Sequence, residues 1–159
     1  MAVVAAIVSG GAFAANAAAD APIITQGSFT VPLHPLSGVC SFDLMSGATI
    51  QFTERDYFTS GVLARSAFHL VEQDSFDANG VTLISDWMDS NFEFRFDASG
   101  NVTTAYYNGI IERVHLPGGG LFISAGRVDY SADGFPEFVL APDHGGIQNL
   151  DAFCAAFAP

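Results

Sequence analysis

Phe92-Glu93-Phe94-Arg95-Phe96-Asp97-Ala98-Ser99-Gly100-Asn101-Val102-Thr103-Thr104-Ala105-Tyr106-Tyr107 is the stretch that decides the fold. Three phenylalanines alternate with Glu93, Arg95 and Asp97, a two-residue period. Such a period sends apolar groups to one face of a strand and charges to the other. Asp97 to Asn101 interrupts it with turn formers, and Val102 to Tyr107 resumes it. Pro117-Gly118-Gly119-Gly120 breaks the chain again before Leu121 to Tyr130. Asp133-Gly134 reads as one more hairpin turn, leading into Phe135 to Leu140. Consecutive short strands with tight turns predict an antiparallel meander.

Upstream, Val39 to Leu44 reads as a first strand. Ser46-Gly47 reads as a turn and Thr49 to Glu54 as a second strand. Ser60-Gly61 marks another break, and Ala67 to Glu72 reads as a strand. Asp77-Ala78-Asn79-Gly80 is a strong hairpin signal, because Asn-Gly supplies the positive φ angles of a type I′ turn. Val81 to Ser85 is rich in β-branched residues, and Asp86 to Asp89 connects it to the meander. Pro142 to Gly146 reads as loop. Ile147 to Phe157 is the one convincing helix, with Phe153 and Phe157 at i, i+4 and Ile147, Leu150 and Cys154 on the same side. The expected fold is all-β: about eight strands whose meander closes into a single small barrel, with one C-terminal helix. Closure is favoured because it removes the open edges of a meander, and a β-sandwich is the alternative.

Composition supports this. The chain has 159 residues, half of them hydrophobic, with fifteen Phe and one Trp. One domain with a phenylalanine-rich core follows. The net charge is −12, from seventeen acidic residues against five Arg and no Lys. Such a surface repels phosphate backbones and anionic lipid, so nucleic acid is not an expected partner.

Residues 1–19 carry no charge, and Ala17-Ala18-Ala19 fits the small-x-small rule for signal cleavage. The expected organisation is a signal peptide over 1–19, an extended lead-in over 20–37 and a β-barrel domain over 38–159. Pro22, Pro32 and Pro35 argue against a central strand in the lead-in, though Phe29-Thr30-Val31 suits a short edge piece. No later stretch is apolar for long enough to span a bilayer. The expected location is secreted, or the exterior of the cell envelope. Cys40 and Cys154 are the only cysteines. In an oxidising compartment an even pair bonds, and closing so long a loop stabilises by roughly 4–5 kcal/mol.

Gly38-Val39-Cys40-Ser41-Phe42, Gly126-Arg127-Val128 and Leu150-Asp151-Ala152-Phe153-Cys154-Ala155-Ala156-Phe157-Ala158 resemble motifs of a group of small secreted, disulfide-containing, β-rich proteins of high-G+C Gram-positive bacteria. The likeness spans Gly38 to Ala158. It implies export, the disulfide and the β body, and it carries no catalytic residue.

Chemistry-bearing motifs are sparse. His34, His69, His115 and His144 lack metal-ligand spacing, so no metal and no cofactor are expected. Asp143-His144-Gly145-Gly146 resembles an esterase oxyanion loop, but Phe122 to Gly126 lacks the first glycine of a nucleophile elbow. Asp77, Asn79, Gly80 and Asp86 match a calcium loop only in a degraded form. Asp86 and Asp89 flank Trp87, with Glu93 nearby. Two carboxylates beside an indole suit glycoside hydrolysis only if they converge across a cleft. No catalytic residue is assigned. The candidate pocket is Arg95, Tyr106 and Arg127, which an inward-facing reading places among Phe and Tyr. The competing reading pairs the arginines with Glu93, Glu112 or Asp129 on the outer face. The expected function is an exported, non-catalytic binding or interaction barrel that holds a small apolar ligand or contacts an envelope partner. The alternatives are a cyclase- or isomerase-like enzyme using the cavity, and a purely structural envelope protein.

Overall fold

Among the described residues every strand joins one antiparallel sheet. The computed structural model describes residues 21–130 and 144–158. The strands are β1 (Ile23–Leu36), β2 (Leu44–Thr59), β3 (Val62–Ala78), β4 (Val81–Ile84), β5 (Met88–Phe96), β6 (Val102–His115), β7 (Leu121–Asp129) and β8 (His144–Gln148). A short helix, α1 (Leu150–Ala155), follows. The ladder runs β1-β2-β3-β5-β6-β7-β8, with β4 paired to β3 beside β5. Ser85 extends β4 by a bridge to Val114, so β4 fills the gap between β3 and β6 beyond the start of β5.

The tight turns arise where the sequence asks for them. Asn79 and Gly80 both take positive φ, 51° and 77°, the geometry that matches the right-handed twist of a two-residue hairpin. Asp97 closes the β5–β6 turn by accepting hydrogen bonds from the backbone N–H groups of Ser99 and Asn101, at 2.8 and 2.9 Å.

Four expectations need correction. Val39 to Asp43 is not a strand; it is the bent connection between β1 and β2, and Cys40 lies in it. Ser46-Gly47 is no turn, because β2 runs straight through it. The lead-in is a 14-residue edge strand, β1. An edge position tolerates Pro32 and Pro35 because no further strand asks for their missing N–H. Finally, Ile147 lies in β8, and α1 is shorter than the period suggests; Phe157 packs from the turn after it. The strand expected over Phe135 to Leu140, the Asp133-Gly134 turn and the signal segment lie outside the described residues.

Closure also differs. Among the described residues no ladder joins β1 to β8, so the wall is an open curved sheet and not a hydrogen-bonded barrel. The described strands form a single sheet, with no second layer among them to make a sandwich. The curvature is strong: Val31 and His34 of β1 share a cavity with Tyr107, Ile111 and Glu112 of β6.

One end of the concave face is sealed. Leu36, Leu44, Phe76, Leu83, Val114, Leu116, Phe122, Phe153 and Phe157 form a continuous buried cluster. Phe153 stacks on Phe122 at 4.4 Å between centroids and meets Phe76 and Phe157 edge-on at 5.2 and 5.3 Å. The Cys40–Cys154 disulfide, with Cα atoms 5.6 Å apart, ties the β1–β2 connection to α1. The Asn79 side-chain amide donates to the Phe157 carbonyl at 2.9 Å, fixing the chain end to the β3–β4 hairpin.

Candidate functional site

Two residues along from the sealed end, four strands change character together. Leu44 gives way to Ser46 on β2, Phe76 to Asp74 on β3, Val114 to Glu112 on β6 and Phe122 to Ser124 on β7. All eight side chains are buried. A two-residue step stays on the same face of a strand, so these polar groups line the same concavity as the phenylalanines. Ser46, Asp74 and Glu112 border a cavity of about 210 Å³ lined also by Val31, His34, Gly47, Ala48, Glu72, Tyr107, Ile111 and Tyr130.

Local irregularities aim these groups inward. On β1 the register shifts between Val31 and His34, which brings both residues to the concave side across Pro32 and Leu33. The His34 ring nitrogen Nδ1 sits 3.2 Å from the Pro32 carbonyl. On β6 a bulge between Ile110 and Glu112 inserts one extra residue. Tyr107 and Glu112 are five apart, and an unbroken alternation would point them to opposite faces. Their partners on β7, Val128 and Ser124, are four apart and share a face. The bulge therefore turns Glu112 inward. At Gly109 the β5 backbone comes so close that an added Cβ would lie 2.7 Å from the Asp89 carbonyl oxygen.

The electrostatics follow from burial. Desolvation, then repulsion from Glu72, pushes the Asp74 carboxyl up to about 8. Glu112 is raised well above the carboxylate range, first by burial and then by Asp74 and Glu72. Burial raises Glu72 as well, opposed by a hydrogen bond from Asp74. The three form a row in which Asp74 interacts with Glu112 on one side and Glu72 on the other. Crowding and burial together favour the protonated forms. Burial, then Glu72, also raises the Tyr107 and Tyr130 phenols, so both stay neutral hydroxyls. Two side-chain oxygens at this level lack a hydrogen-bond partner among the described residues. Glu112 Oε2 is buried without a hydrogen bond among the described residues, as is Ser124 Oγ, the pair partner of Glu112 on β7.

Beyond the carboxyls the concave face turns aromatic. Phe92 lies 5.9 Å from Tyr107 and 5.5 Å from Tyr130, and 4.3 Å from Phe94. These rings are only half-buried, so this end opens outward.

The residues singled out from sequence lie elsewhere. Arg95 is exposed and bonds Glu93 at 2.9 Å, with Arg65 on the other side of that carboxylate at 3.6 Å. Arg127 is exposed and covers the Tyr106 ring at 3.9 Å. Arg95, Tyr106 and Arg127 thus form no pocket, because they fall on the convex face of their strands. Tyr107, one residue on, is the cavity residue. Glu112, offered as a surface partner for arginine, is instead wholly inside. Asp86 binds Arg113 at 2.8 Å and His115 at 3.3 Å, and Asp89 lies 3.3 Å from His69. These surface ion pairs do not converge on a cleft. Asp77 accepts a hydrogen bond from Thr82, which with the Asn79–Phe157 bond makes the supposed calcium loop a plain hairpin. A wider depression of about 500 Å³ crosses β1 to β3, but every residue lining it is exposed or half-buried. Among the described residues no group of three His, Cys, Asp or Glu could hold a metal ion, and no helix is long and apolar enough to cross a membrane.

Comparison with known proteins returns no match, whether to protein-family models, to curated proteins or to solved structures.

Proposed function

We propose that this chain is an exported, non-catalytic binding protein that holds a small amphiphilic molecule in the cavity between β1–β3 and β6. The observation that carries this reading is the coordinated change from apolar to polar at one level of four strands. A core built only for stability would continue Leu44, Phe76, Val114 and Phe122 with more of the same. Buried carboxyls instead cost several kcal/mol unless something recovers the loss, so a recess lined with them is a binding feature. The aromatic rim suits the apolar part of the ligand, and the carboxyl–tyrosine end suits its polar part. The disulfide supports an oxidising, extracytoplasmic setting.

A second reading draws on Asp74. A carboxyl that gives up its proton near neutrality, in a recess, is suited to general acid–base work, as an isomerase or cyclase needs.

Native mass spectrometry of the mature protein purified from an exporting host tests the binding reading. A small-molecule adduct that persists through gentle desalting, and is lost in Glu112→Leu, is expected. Protein that is always empty, with identical spectra for both chains, overturns it.

A further inference from the structure

We propose that the ligand taken by this cavity is a small organic cation, a protonated amine on an aromatic or alkyl body, with its ammonium at Glu112 and Asp74 and its body between Tyr107 and Tyr130. This rests on the binding reading above and adds the charge of the ligand.

The recess is short of hydrogen-bond donors. Glu72, Asp74 and Glu112 share it, and among the described residues His34 is the single basic side chain lining it. Arg65 and Arg95 contact Glu93, Arg113 contacts Asp86 and Arg127 covers Tyr106, and none of these arginines lines the recess. A buried carboxyl group normally has a cation or several hydrogen-bond donors beside it. Here the protein supplies neither to Glu112 Oε2, which is 98% buried by its residue's 2% exposure and has no partner among the described residues. Its register partner Ser124 leaves a hydroxyl oxygen equally unpartnered. An ammonium carries three donors and would meet several of these acceptors at once.

The cation is not a metal ion, because the carboxyls do not converge on one coordination centre among the described residues. It must be larger, and the volume agrees. About 210 Å³ exceeds the roughly 150 Å³ that accommodates benzene in an apolar protein cavity, and leaves room for a short polar head. The walls agree too, since Tyr107 and Tyr130, with Phe92 packed against both, offer π faces, which attract cations. The molecule's net charge of −12 draws cations toward any opening and repels anions.

Binding has a defined proton balance. In the empty recess the row of carboxyls is held together by its protons. An arriving ammonium stabilises the carboxylate form, so protons leave to solvent as the ammonium binds, and no bond of the ligand changes. Affinity therefore rises with pH while the amine stays protonated. A neutral ligand that uses the carboxylic acids as donors shows the opposite trend. The groups facing the ammonium are Glu72 and Asp74 from β3, Glu112 and Tyr107 from β6, His34 from β1, and Tyr130.

Benzylamine, benzyl alcohol and benzoate share one ring and differ in head charge, and calorimetry with the mature, oxidised protein compares them. Benzylamine is expected to bind about tenfold or more tighter than the alcohol, with benzoate inert. Heats measured in buffers of different ionisation enthalpy are expected to show proton release with the amine only. Glu112→Gln keeps the shape and is expected to erase the preference while the alcohol binds as before. Tyr107→Phe, a milder change, is expected to weaken both. Circular dichroism confirms that each variant folds. Equal affinity for amine and alcohol overturns the cation assignment and leaves a binding recess that reads shape alone. No binding by any of the three at millimolar concentration overturns the cation assignment and the binding reading together.

Discussion

The sealed end and the recess are built on the same strands, the same face and neighbouring levels, yet they obey opposite rules. At the sealed end Phe76, Phe122, Phe153 and Phe157 touch one another and no polar side chain interrupts them. One step along, Glu112 and Ser124 are as deeply buried, and each leaves an oxygen without a partner among the described residues. Apolar packing in the first region does not depend on pH. The second loses stability as its carboxyls ionise in the empty recess. A curved sheet can therefore keep its strength and its chemistry on one face, provided that one end is capped tightly enough to tolerate a costly layer beside it.

The comparison is broken most severely by removing the cap. Reducing Cys40–Cys154 reopens a loop of sequence separation 114. It is expected to cost about 5 kcal/mol, read as a drop in urea midpoint on adding a reductant. Phe153→Ala empties the centre of the cluster and is expected to cost about 3–5 kcal/mol in the same assay. A loss below about 1 kcal/mol from either change would mean that the cap does not carry the sheet.

The polar layer is probed by pH. Asp74 and Glu112 have folded-state affinities for protons above those of the unfolded chain. The folded form therefore holds protons that the unfolded form has lost. Stability is full below the ordinary carboxylate range and falls as pH rises, with the Asp74 part of the loss spent above about 8. The fall is expected to be on the order of 3–5 kcal/mol, and Asp74→Asn is expected to flatten it. Thermal melts of both chains from acid to mildly alkaline pH measure this, and parallel curves would sink the account. Glu112→Leu sharpens the contrast by extending the apolar layer. It is expected to raise stability by about 1–3 kcal/mol at alkaline pH while abolishing ligand uptake. The smallest effect belongs to the convex face. Arg127→Ala removes the guanidinium from the Tyr106 ring, and about 0.5–1 kcal/mol with unchanged ligand binding is expected.

Parts of this arrangement were legible in the chain. The Phe92–Phe96 alternation, the Asn79-Gly80 turn and the Phe153/Phe157 pair each declare themselves through local geometry. So do Glu72 and Asp74 on β3, in principle. Phe68, Leu70, Phe76 and Ala78 share their parity, so two acids on the apolar face of an otherwise regular strand were a readable signal that stopping the strand at Glu72 concealed. Glu112 was not readable. Its inward direction depends on a one-residue bulge at Ile111, and simple alternation places it outside, beside the arginines. His34 depends likewise on the slip across Pro32 and Leu33.

What the sequence by itself determined is the local geometry: strand periods, turn positions, and a cysteine pair able to meet. Each of these depends on residues within a few positions of one another, or on chemistry that needs only proximity. What tertiary structure alone decided is how far the sheet curls, that β1 and β8 stay unjoined among the described residues, and that three carboxyls from two distant strands face one recess. Those outcomes depend on where bulges shift register and on which strands curvature brings opposite each other, and neither is encoded in any single stretch of the chain.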